Sequence, residues 1–82
     1  MTLQELNVLI FYSRVVNYLF VLIRSDASGS VSSEDIIKHF QGLQLTDDLS
    51  RVEMRMAISK AFSTVHTFLQ NAGSIDIFKN QN

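Results

Sequence analysis

Three stretches of the chain carry apolar side chains at helical spacing, and the first two are preceded by residues suited to start a helix. Thr2 with Glu5 three residues later has the order of a capping box and predicts a helix from Leu3 to about Arg24. At about 100° per residue, Asn7, Ser13, Arg14, Asn17 and Arg24 gather on one side of it. Val8, Leu9, Phe11, Tyr12, Val15, Val16, Tyr18, Leu19, Leu22 and Ile23 sweep roughly 200° of the other. That arc is wider than a surface helix needs.

The polar run 25–30 predicts a turn, and Val31 among serines predicts a very short strand. Ser32 followed by Asp35 repeats the capping pattern, and Ile36, Ile37 and Phe40 form the inward face of a short second helix. Gly42 is expected to stop that helix at C′, the first position past its cap. After a connection over residues 43–48, Met54, Ala57, Ile58, Ala61, Phe62, Val65, Phe68, Leu69 and Ala72 keep to one stripe about 140° wide, ending at Gly73. Leu49, Val52 and Met56 fall on the opposite side. The first turns of this third helix therefore form a separate short helix, or touch something the stripe does not, and a kink is expected near residues 52–55. Asp47 and Asp48 just before it read as cap and dipole partners. The alternation over residues 74–79 predicts a terminal strand at 75–78.

The fold class expected is thus mostly α with a minor β element: three helices plus short strands in a single domain over residues 1–82. An 82-residue chain that is 46% apolar supports one small core. Residues 8–23 read VLIFYSRVVNYLFVLI, but Ser13, Arg14 and Asn17 interrupt them, and an arginine at the centre of a spanning helix costs about 2.5–3.5 kcal/mol. A membrane span and a signal peptide are therefore not expected, and an intracellular, cytoplasmic or nuclear location is. The net charge of -1 excludes a strongly basic nucleic-acid coat. The lack of cysteine excludes disulfides and thiolate zinc sites, and no cofactor or metal is expected.

The passage 28–40, SGSVSSEDIIKHF, resembles the strand-into-second-helix passage of winged-helix domains, and Ala72-Gly73-Ser74-Ile75 resembles their exit from the third helix. It is similar to the C-terminal winged helix of Cockayne syndrome B type repair ATPases, a resemblance covering residues 19–79. This implies a helix-turn-helix made by the second and third helices and a role in ubiquitin recognition. The chain departs from that pattern in having one strand after the third helix, and no ubiquitin-contacting residue carries over.

Four groups of residues bear on function. The apolar excess of the first helix predicts an interface formed by Phe11, Tyr12, Val15, Tyr18, Leu19 and Leu22, in a homodimer or with a larger protein partner. The alternative is a small DNA-binding regulator reading with Arg55, Ser59, Lys60, Ser63 and His66, of which two are permanently cationic. An EF-hand register starting at Arg24 fails on ligand charge, because Asp26, Ser28, Ser32 and Asp35 alone supply side-chain oxygens. A calcium-free paired-hand fold, with Ile75 after Gly73 mirroring Val31 after Gly29, stays the alternative to the winged helix. His39 and His66 have no motif neighbour that makes either a catalytic base, so the chain reads as a non-enzymatic interaction module.

Overall fold

The structure, a computed structural model, describes residues 1–24 and 31–72. It contains three helices: α1 (Leu3–Arg24), α2 (Ser33–Gly42) and α3 (Arg51–Asn71). Each begins with a reciprocal capping box that satisfies two of the backbone donors a helix start leaves open. In α1 the Thr2 N–H donates to Glu5 Oε1 (3.0 Å) and the Glu5 N–H donates to Thr2 Oγ1 (3.1 Å). Ser32 with Asp35 does the same for α2, and Ser50 with Glu53 for α3.

α1 and α3 lie side by side and run in the same direction. Near their starts Gln4 Nε2 donates to the Glu53 carboxylate at 2.8 Å; at mid-length Tyr12 meets Thr64; near their ends the Phe20 and Phe68 rings meet edge to face at 5.2 Å. α2 caps the same core through Phe40, whose ring meets those of Phe11 (5.4 Å) and Tyr18 (5.6 Å) edge to face. The core takes Phe11, Val15 and Leu19 from successive turns of α1, Ile36, Ile37 and Phe40 from α2, and Met54, Ala57, Ile58, Ala61, Phe62, Val65 and Leu69 from the α3 stripe, whose Phe68 stays exposed at its edge. Among the described residues no polar or charged residue is buried.

The segment joining α2 to α3 departs from the sequence expectation. Gly42 is the last helical residue, not C′, and a side chain there would meet nothing within 4 Å. The left-handed residue that ends α2 is Gln44, with φ 57°. Around it the Leu45 N–H donates to the Phe40 carbonyl and the Gln44 N–H to the Gln41 carbonyl, both at 3.0 Å, the two bonds of a Schellman motif. Leu45 then packs on the core, and its carbonyl accepts from Arg14 (2.9 Å). Arg14 also lies 3.6 Å from Asp47, so this aspartate holds α1 to the loop and does not cap α3.

α3 is one unbroken helix from Arg51, with no separate first turn. Leu49 reaches the core, whereas Val52 and Met56 face outward. Val31 lies outside any regular element, and no strand occurs among the described residues. The expected turn at 25–30, the glycines Gly29 and Gly73, and the strand at 75–78 lie outside the described residues. α1 is long and apolar enough to cross a membrane by length and composition. Its inner face forms the core of this structure, and Arg14 finds its partners within the chain.

Candidate functional site

The interface expected on α1 divides in two. Phe11, Val15 and Leu19 are at 0% exposure, the centre of the chain's own core, and have no surface to offer a partner. Their i, i+4, i+8 spacing points them between α2 and α3, so two neighbouring helices cover the middle of the arc. Tyr12, Tyr18 and Leu22 flank this line and are half-buried. Tyr18 is engaged internally as well, stacked on His39 with ring centroids 4.2 Å apart.

What stays open lies elsewhere. Leu9 on α1 is 44% exposed and Met56 on α3 is 66% exposed, and the two line a groove between the helices. Val8, Tyr12, Ala57 and Lys60 complete its lining. The groove follows from side-chain length: Ala57 stops at Cβ where α3 faces α1, and the longer Met56 and Lys60 rise beside it. Its volume of about 180 Å³ is small beside the roughly 300–1,000 Å³ of small-molecule sites, and suits one or two inserted side chains. The furrow continues toward the start of α1, where Met1 and Glu5 join Val8 and Leu9. Met1, Leu3, Leu6, Ile10 and Val52 add further exposed apolar surface around this end of the helix pair.

The polar groups are arranged by position along the groove. At the far end Tyr12 and Thr64 are hydrogen-bonded at 2.6 Å, Thr64 Oγ1 donates to the Lys60 carbonyl at 3.0 Å, and the Lys60 ammonium lies 5.9 Å from the Tyr12 ring centroid. Lys60 forms no ion pair among the described residues. At the near end two carboxylates are held ionised. The backbone N–H of Thr2, then its hydroxyl, lowers the pKa of Glu5; the backbone N–H of Ser50, then Gln4, lowers that of Glu53.

The nucleic-acid set is not assembled into one basic face. Arg55 and Arg51 both bond the Glu34 carboxylate, Arg55 at 2.8 Å, an arrangement that lowers the pKa of Glu34 chiefly through Arg51 and ties α3 to α2. Ser59 and Ser63 are exposed and His66 is half-buried, while Lys60 sits on the groove side with Tyr12. No cluster of three or more metal-binding side chains exists among the described residues.

In the sequence Leu9 falls within the α1 arc and Met56 falls out of phase with the α3 stripe, and that phase error is the signal of the groove. Nothing in the sequence pairs the two, because the parallel course of α1 and α3 is a tertiary fact. The chain matches no protein-family model, no curated protein and no solved structure.

Proposed function

We propose that the protein is a non-enzymatic interaction module that binds another protein through the α1–α3 groove. The observation that carries this reading is the pair Leu9 and Met56: two large apolar side chains left open on either side of a furrow sized for side chains. Fully burying such a side chain is worth about 1.5–3 kcal/mol, and the parts of Leu9 and Met56 still open to solvent can gain their share of it only on association. The groove lacks the convergent polar groups of a catalytic centre, in keeping with binding.

A winged-helix-like arrangement is the finer fold reading. The order of α1, α2 and α3 supports it, whereas the short strand expected at Val31 is not found among the described residues. The α2–α3 connection, residues 43–50, is longer than the three- or four-residue turn of a helix-turn-helix. The DNA-binding alternative has less support, since Arg55 is spent on Glu34.

The test is a photoreactive residue placed at position 56, used in the native cell. The reading expects a discrete protein adduct from position 56 and none from position 38 on α2. Equal, diffuse labelling from both positions contradicts it.

A further inference from the structure

Resting on that reading of the groove, we infer that its partner is a second copy of this chain, docked groove to groove about a two-fold axis passing between Leu9 and Met56. The two-fold brings Lys60 of each copy to Glu5 of the other.

The polarity of the groove selects this partner. Its near end is bounded by Met1 and Glu5 and its far end by Tyr12 and Lys60, with the apolar Val8, Leu9, Met56 and Ala57 between. α1 and α3 run in the same direction, so Glu5 stands level with the start of α3 and Lys60 level with Tyr12. The two charges are separated by about two helical turns, roughly 10 Å. A surface with an acid at one end, a base at the other and an apolar middle is complementary to its own reverse. A two-fold superposes the apolar centres and forms two Glu5–Lys60 pairs at once. Neither partner must break an existing ion pair: Lys60 makes none among the described residues, and Glu5 uses its carboxylate only to cap Thr2. Met56 and Leu9 meet at the centre, where adaptable apolar side chains contribute most. An anionic membrane suits the site poorly, because the carboxylates of Glu5 and Glu53 flank the same apolar end.

The symmetry gives a test by charge exchange. Lys60→Glu and Glu5→Lys chains are purified separately, checked for helicity and measured by light scattering, alone and mixed. Each single variant sets like charges against each other twice and associates at least about tenfold more weakly than wild type. Mixed, they form a one-to-one heterodimer. The glutamate introduced at position 60 of one chain then meets the lysine introduced at position 5 of the other, and the unaltered Glu5 and Lys60 meet at the second contact. Recovery to the mass of two 9.3 kDa chains only on mixing is the expected result. If Glu5→Lys loses its helical first turn, Met56→Glu reads the same surface and gives the one-chain mass.

A wild-type chain that keeps the one-chain mass up to about 1 mM overturns the two-fold dimer, as does a mixture no heavier than its components. A crosslink from position 56 to a different protein then leaves the interaction reading standing. Absence of both removes it too. Sedimentation of the wild-type chain with phosphatidylcholine–phosphatidylserine vesicles in place of dimerisation also overturns the proposal.

Discussion

The hydroxyl of Tyr12 on α1 lies 2.6 Å from that of Thr64 on α3, and Thr64 passes its own hydrogen to the Lys60 carbonyl. Tyr12 is therefore the donor, and the chain of bonds pins the middle of α1 to α3 beside the groove. Tyr12→Phe keeps the ring and removes the donor. It is expected to cost about 1 kcal/mol and no more, because Thr64 can turn to water. In a domain of this size that lowers Tm by roughly 4–8 °C. Thr64→Val should cost about the same, and the double variant less than the sum of the two, which a double-mutant cycle by thermal unfolding checks. Strict additivity would mean the two hydroxyls do not interact.

The end of α2 sets opposite requirements at two neighbouring positions. Gln44 holds φ 57° without being glycine, so Gln44→Gly should relieve strain and stabilise by about 1 kcal/mol. Gly42 is helical with open space at its Cβ position, so Gly42→Ala should stabilise by about 0.5–1 kcal/mol. Had Gly42 been the C′ residue, the alanine variant would lose stability instead. Urea unfolding of the two variants separates the alternatives.

Acid should unfold the protein by a traceable route. Glu5, Glu34 and Glu53 all have carboxyls held below the ordinary 4.5, the first and third by cap N–H groups and Glu34 by Arg51. A carboxylate with a lowered folded-state pKa adds stability above its unfolded value, and that stability is lost as pH falls through the folded value. Stability should therefore be flat from neutral pH down toward 5 and decline below about 4.5. Glu34→Gln should flatten part of that decline, whereas a Lys38→Gln control should not. A slope unchanged by Glu34→Gln contradicts the role given to the Glu34–Arg51–Arg55 cluster.

The helices are legible in the sequence because their signals are local. Thr2 with Glu5 and Ser32 with Asp35 name the starts of α1 and α2 within four residues, and the stripe from Met54 to Leu69, the exposed Phe68 excepted, names the buried face of α3. The Ser50–Glu53 box carries the same signal, but Asp47 and Asp48 compete with it, and the role of Asp47 depends on where Arg14 ends up. Gly42 misleads for a related reason: glycine tolerates C′ but does not require it, and the packing of Leu45 beside the α2 end places the left-handed turn at Gln44. The candidate site is least legible. A wide apolar arc says that much of α1 is covered, but not by what. Phe11, Val15 and Leu19 are covered from within, and of the predicted arc Leu9 is the residue left exposed, with Met56 across the groove from it.

If association runs through the groove at Leu9 and Met56 and not through the line of Phe11, Val15 and Leu19, charge placed on the two surfaces must act differently. Light scattering on the wild type, Met56→Glu and Leu19→Glu, each checked for helicity, separates them. The wild-type mass should rise with concentration toward two chains, the Met56→Glu chain should stay helical at 9.3 kDa, and the Leu19→Glu chain should lose its fold. A folded, monomeric Leu19→Glu chain beside a Met56→Glu chain that associates like wild type would place the interface on the other face of α1 and refute the groove.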